Sequence, residues 1–207
     1  MKLILSSSDF LNEKSKETII KNVSKELSKN KVLFIPNEKA TEEKITSSKY
    51  YDRLYIDGFT NKDNIYIFDD TNPDQFRNLD IDLIYVSGGN TFATLDKIKK
   101  CGFDKDIINY IKNGVIYVGG SAGAHIVSKN IFHLLNLDDN YINITDFNGL
   151  GLLDGIIVLH CEAEEYNPKF REEVYNKCIN DGKYKVYRLT NNDSIVINDD
   201  EIEIYSI

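Results

Sequence analysis

The sequence predicts an α/β fold in three layers, a mostly parallel sheet with helices on both faces and antiparallel strands at the C-terminus. Three observations carry this. Short apolar runs bounded by turn residues recur along the chain, amphipathic stretches separate them, and the last third ends in strand-like segments joined by Asn-Asp-rich turns.

The apolar runs are KLILS at the start, KVLFIP from Lys31, NIYIFD from Asn64, DLIYVSGG from Asp82 and VIYVGG from Val115. Strands buried on both faces read as continuous apolar runs in this way. Between the first two, residues 11–29 place Ile19, Ile20, Val23 and Leu27 at helical spacing, which predicts a helix over that span. NTFATLDKIKK and DKDIINYIKNG predict two further helices, with Gly114 as a stop. AGAHIVSKNI is helix-compatible, DGIIVLH reads as a strand and PKFREEVYNKCI as a helix. KVYRLT, SIVIND and EIEIYSI then predict closing antiparallel strands, so the sheet is expected to be mixed.

With 207 residues, 42% of them hydrophobic and 28% charged, one domain over residues 1–207 is expected. The net charge of −8 lacks the basic footprint of nucleic-acid or anionic-membrane binding, which favours small-molecule chemistry. Cys101, Cys161 and Cys178 are odd in number and lack metal-ligand spacing, and MKLILSSSDF carries no long apolar leader. A cytoplasmic protein is expected. No run approaches the ~18 apolar residues of a membrane span.

Gly119, Ser121 and Gly123 satisfy G-x-S-x-G between a strand and a helix start, the context in which that motif holds a nucleophile on a strained turn. The bland reading is a Gly-Ser turn that caps a helix or binds phosphate. YVSGGNTFATL repeats the pattern of strand, paired glycines and helix start, so amides of Gly88 and Gly89 are expected to face the same cleft. An acyl-transfer site needs donors for its oxyanion; the expected ones are the amides of Ala122, after the nucleophile, and Gly89, from the neighbouring turn.

A serine hydroxyl needs a base, and the chain holds only His125, His133 and His160. His125, one helical turn beyond Ser121, is expected to be structural or to line the cleft. His133 lies in an apolar segment suited to packing. His160, ending the DGIIVLH strand, is the expected base, while alternation turns Cys161 the other way into the core as an inert thiol. A carboxylate should orient the imidazole. Asp138, Asp139, Glu162 and Glu164 are all available, and the residues alone do not choose among them.

In order, GGNTF, GGSAGA, FNGLGLLDGIIVLH and the closing YRLTNNDSIVINDDEIEIYSI resemble the peptidase E family of serine dipeptidases, related to cyanophycinases and built on a class I glutamine amidotransferase-like fold. The resemblance runs over nearly the whole chain. It implies hydrolysis of short peptides with an N-terminal aspartate, with Ser121 as nucleophile and His160 as base. It points to Asp138 in NLDDN as the acid, with Asp139 in reserve. Asn90 and Arg171 match substrate-binding positions, Arg171 for the aspartyl carboxylate; a surface ion pair of Arg171 with Glu162 or Glu164 is the competing reading. The chain departs from the family pattern at VLHCEAEEY, where relatives carry Pro-His and an aromatic, and at His125, where asparagine is frequent.

The expected function is therefore a serine-type peptidase acting on short peptides with no metal or organic cofactor, and with no nucleic-acid or membrane partner. A homodimer is among the open oligomeric options. The alternative is an inactive binding or regulatory protein on the same fold. An α/β-hydrolase esterase is disfavoured by the long strand-bearing stretch after His160, and a glutaminase by serine at the elbow in place of cysteine.

Overall fold

The structure, a computed structural model, describes residues 1–206. Its strands are β1 (Lys2–Ser6), β2 (Val32–Ile35), β3 (Ile65–Ile67), β4 (Leu83–Val86), β5 (Ile116–Gly120), β6 (Ile156–Val158), β7 (Val186–Arg188), β8 (Ser194–Asn198) and β9 (Glu201–Tyr205). Seven form one sheet in the order β3-β2-β4-β5-β1-β8-β9, and β6 pairs with β7 apart from it. β1 to β5 run parallel, whereas β8 is antiparallel to β1 and β9 to β8. The helices are α1 (Glu13–Asn22), α2 (Glu42–Thr46), α3 (Lys49–Asp57), α4 (Thr91–Lys100), α5 (Phe103–Lys112), α6 (Ala122–His125) and α7 (Pro168–Asp181).

Strand alternation divides the core in two. Leu3, Leu5, Leu33, Ile35, Ile84, Val86 and Tyr117 point to one face, where they meet residues of α4, α5, α6 and β6. Ile4, Val32, Phe34, Leu83, Tyr85, Ile116 and Val118 point to the other, against Ile19 of α1 and Leu54 of α3. The predicted strands all form among the described residues, Ile207 at the end of the EIEIYSI reading lying outside them, and the mixed α/β architecture is as expected.

Four local readings need correction. The first helix stops at Asn22 instead of continuing to Lys29, because Val23 adopts extended backbone. A short 3-10 turn over Leu27–Lys29 then carries Leu27 into the core against Gly58. The helix after the serine turn spans only Ala122–His125, since the carbonyls of Ile126 and Val127 are taken by amides of Leu150, Leu152 and Leu153. β7 lies parallel to β6 rather than joining the antiparallel closure. Finally, α2 and α3 fill a stretch for which no helix was predicted.

The strand order brings the carboxyl ends of β4, β5 and β1 side by side, with Val86 opposite Gly119 and Ser6 opposite Gly120. The helix that follows β1 packs on one face of the sheet and the helix that follows β5 on the other. α/β sheets open a crevice between neighbouring strands whose connections part in this way.

Candidate active site

Ser121 follows β5 with φ 49° and ψ −109°, a conformation costly for a residue with a β-carbon. Its amide donates to the Ser6 carbonyl at 3.0 Å, which fixes the turn to the end of β1. The small neighbours are required by contact. A β-carbon at Gly123 would lie 2.2 Å from the Val86 carbonyl oxygen, and one at Gly120 would lie 2.4 Å from Asp9 Cβ. Tyr117 reaches over to donate its hydroxyl to the Gly123 carbonyl at 2.6 Å.

His160 stands two residues beyond β6, with φ 56° and 6% exposure. Its Nε2 is 3.1 Å from Ser121 Oγ, and its Nδ1 is 2.8 Å from Asn191 Oδ1. An amide oxygen only accepts, so Nδ1 carries the proton and Nε2 is left as an acceptor toward the serine hydroxyl. The Ser7 hydroxyl accepts from the His160 amide at 3.2 Å and donates to the Thr190 carbonyl at 2.9 Å, tying the histidine to the Asn191 turn. Asp193 closes that turn by accepting from the Thr190 amide at 2.7 Å. The Tyr166 ring stacks on the imidazole, with centroids 4.1 Å apart and planes at 20°. Burial lowers the His160 pKa from its ordinary value, the Asn191 hydrogen bond partly opposes this, and the Arg171 charge lowers it further. The imidazole is thus neutral near pH 7.

The structure departs from the expected acid. Asp138 accepts from the Thr91 amide at 2.7 Å and the Asn90 side chain at 2.8 Å, which pins the glycine turn before α4 instead of the imidazole. The first amides of a helix lack intrahelical acceptors, so a carboxylate placed there is drawn to them. Asp139 is exposed, and its carbonyl accepts from the same Asn90 side chain. Glu162 pairs with Arg188 at 2.8 Å, and Glu164 is exposed. Asn90, expected at the substrate, is instead the cap of α4, its Oδ1 accepting from the Ala93 amide at 2.9 Å.

Other expected residues do gather at one cleft of about 830 Å³, lined by Gly88, Gly89, Ser121, His125, His160 and Arg171 among others. The amides of Gly89 and Ala122 have no acceptor among the described residues. A β-carbon at Gly88 would come within 3.3 Å of Ser121 Cβ, so the glycine turn lies directly against the serine. Arg171 makes no ion pair with Glu162 or Glu164. It is 6% exposed, donates from Nη1 to the Leu159 carbonyl at 2.7 Å and from Nε to the Tyr166 carbonyl at 3.1 Å, and stands 5.1 Å from the Tyr166 ring centroid. His133 is buried and donates from Nε2 to the Ile157 carbonyl at 2.8 Å, a packing role. Cys161 is 1% exposed, and burial raises its thiol pKa, as an inert core cysteine requires.

Two features escaped the sequence reading. Asn191 sits in the TNND turn, which read only as a connection. Its signal is topological: the turn follows β7, the strand that runs beside β6 and so ends next to His160. The second is a network beneath the elbow, in which a half-buried Arg53 contacts the buried Asp9 at 3.2 Å, Asp57 at 3.3 Å and the Tyr85 hydroxyl at 3.0 Å. Asp9, 3% exposed and at φ 45°, is the residue that packs under Gly120.

A mostly parallel sheet with a serine–histidine pair on the turn after a central strand defines a class of three-layer α/β proteins that set a hydroxyl and an imidazole over the carboxyl edge of the sheet. Within it, the chain belongs to peptidase family S51, whose sequence model matches residues 2–205. The uncharacterized peptidase Lmo0363 of Listeria monocytogenes is 36% identical over 125 residues, 58% of each chain. Peptidase E of Salmonella newport is 34% identical over 73 residues, 35% of this chain and 30% of that one. The matched stretch thus spans little more than half of the first of these relatives and less of the second. A crystal structure from Listeria monocytogenes EGD-e, assigned provisionally to peptidase E, superposes with a TM-score of 0.73 at 28% identity, over 100% of this chain and 98% of that one. A peptidase from an acI-B1 Actinobacterium shares the fold, with a TM-score of 0.64 at 16% identity over 100% and 87% of the two chains.

Proposed function

We propose that the chain is a serine-type peptidase for short peptides. The observation that carries this is the line Ser121 Oγ, His160 Nε2 at 3.1 Å, and His160 Nδ1 to Asn191 Oδ1 at 2.8 Å. In the reaction, Ser121 Oγ bonds to the peptide carbonyl carbon as His160 Nε2 takes the hydroxyl proton. The oxyanion is held by the amides of Gly89 and Ala122. The C–N bond then breaks as the imidazolium returns its proton to the leaving amine, and a water repeats the sequence to release the acyl group. Asn191 stands where a carboxylate would be expected, fixing the tautomer without supplying charge.

The substrate reading is an N-terminal aspartyl residue. Arg171 is a buried cation without a carboxylate partner among the described residues, and such a charge is satisfied by an anionic ligand. Lys39, Lys44 and Lys49 line the same cleft and pair with no carboxylate among the described residues, which suits the free C-terminus of a short peptide. No helix among the described residues is long and apolar enough to cross a membrane, and a cytoplasmic site of action is part of the proposal.

The test is hydrolysis of a panel of di- and tripeptides differing in the first residue, by the native protein and by Ser121→Ala. Turnover abolished by the substitution supports the reading, and aspartate preference supports its substrate half. The missing carboxylate at Nδ1 favours one second reading, a binding protein that has lost catalysis. It predicts no turnover and no labelling of Ser121 by an organophosphonate reagent.

A further inference from the structure

The reaction described above leaves a second imidazole in the cleft unused. His125 is 5% exposed and lines the cleft with Thr91, Leu134, Leu137 and Arg171. Its Nδ1 is 3.4 Å from Thr91 Oγ1, and its Nε2 is buried with no hydrogen-bond partner among the described residues. The nearby His133 ring, 6.2 Å away between centroids, does not serve it, because its own Nε2 is committed to the Ile157 carbonyl.

The polarity of the orphaned nitrogen follows from Thr91. That hydroxyl is in a residue 2% exposed and has no other partner among the described residues. A buried O–H needs an acceptor, and Nδ1 is the one in reach, so the hydroxyl donates to Nδ1 and the ring proton sits on Nε2. Burial drives the His125 pKa well below its usual value, and the neighbouring His133, His160 and Arg171 reinforce it, so the ring is neutral. An unsatisfied buried N–H is costly in the empty site and is relieved by an acceptor. Arg171 presents a second free donor, since Nε and Nη1 are taken by carbonyls while Nη2 has no acceptor among the described residues.

We propose that His125 Nε2–H and Arg171 Nη2 form a two-donor cradle for the side-chain carboxylate of the substrate's first residue, His125 holding one oxygen and Arg171 the other. This rests on the peptidase reading above and adds to it a specificity-determining residue. The cradle explains why a polar ring occupies a nearly buried position in the cleft wall, where an apolar side chain would be buried at lower cost.

The experiment compares kcat/KM for Asp-Leu and Ala-Leu in the native protein, His125→Phe and His125→Asn. His125→Phe should lower the Asp-Leu to Ala-Leu ratio by about 10- to 100-fold, the range for a lost hydrogen bond to a charged group. His125→Asn, which keeps a donor, should recover much of that ratio. A merely structural role would slow both peptides alike; a ratio unchanged in His125→Phe, or equally reduced in both variants, overturns the proposal. If the native protein cleaves neither peptide, the peptidase reading falls separately. The cradle is then tested by calorimetric titration with L-aspartate. Binding at least tenfold weaker in His125→Phe supports it, whereas equal affinity or no binding by the native protein overturns it.

Discussion

Replacing Asn191 by aspartate should turn a neutral orienting group into a charged one without moving it. The two side chains are isosteric, and Asn191 Oδ1 already sits 2.8 Å from His160 Nδ1. Asn191 is only partly buried, so a carboxylate there keeps enough hydration to ionise. A carboxylate and an imidazolium about 4 Å apart at an effective dielectric of about 20 attract by about 4 kcal/mol, before the loss of carboxylate hydration is subtracted. After that subtraction, the His160 midpoint should rise by about one to three pH units. The sign follows from the native site, where burial and the Arg171 charge hold the imidazole below its ordinary pKa. Native kcat/KM should therefore rise with pH through a midpoint below about 6.5, and the variant's acid limb should move to higher pH. Above that limb the variant should be faster by at least about tenfold, since one pH unit of imidazolium stabilisation is about 1.4 kcal/mol. The assay is a pH profile of kcat/KM on Asp-Leu, with direct titration of His160 by proton NMR in the same samples. An unmoved midpoint together with an unchanged plateau would refute the reasoning, because Asn191 would then not be coupled to the reacting imidazole.

Three further outcomes follow from the same geometry. Asp138→Ala should cost about 2 kcal/mol of stability through the lost charge-assisted bonds to Thr91 and Asn90. It should also lower activity by loosening the glycine turn, yet leave the pH midpoint in place; a shifted midpoint would make Asp138 the partner of His160 after all. Arg53→Met should cost about 2–4 kcal/mol in urea denaturation, because Asp9 and Asp57 stay buried without their cation. An effect under about 0.5 kcal/mol would show the network to be replaceable. His133 is held neutral by burial, with its pKa lowered to about 4, whereas in the unfolded chain it titrates near 6.5. The unfolded chain therefore takes up the proton first, and the His133 contribution is fully present above about pH 6.5 and is lost as pH falls toward 4, by about 1.4 kcal/mol per unit. His133→Gln should flatten that part of the stability curve, and an identical slope in both proteins would remove His133 as its source.

The strands were legible because a sheet covered on both faces demands continuous apolar runs, and runs such as KVLFIP and VIYVGG have no other economical reading. The elbow was legible for a related reason: glycine is needed at positions 120 and 123, where backbone and Asp9 leave no room for a β-carbon. Helix lengths were harder to read. Nothing local in AGAHIVSKNI announces that the Ile126 and Val127 carbonyls will be claimed by amides near residue 150. The β6–β7 pair was missed because period-2 alternation gives strand character and not the direction or identity of the neighbour.

The acid illustrates the same limit at the level of a single side chain. Asp138 lies between nucleophile and base in sequence, and a carboxylate is the group that an imidazole wants. Yet the first amides of α4 want a carboxylate as well, and they are the groups the NLDDN turn reaches. Position 191 was invisible because its role depends on β7 lying parallel to β6, which brings a connecting turn to the imidazole's far nitrogen. Residue type alone would never nominate an asparagine there, since its use is to select a tautomer and not to bear a charge. The site therefore keeps the geometry of proton transfer while giving up charge compensation, and Arg171, nearby and cationic, pushes the imidazolium further uphill. A substrate carboxylate bound at Arg171 would cancel that push at the moment the imidazolium forms. Acidic substrates should consequently raise kcat as well as lower KM, and a preference confined to KM would mean that the Arg171 charge does not reach the reacting proton.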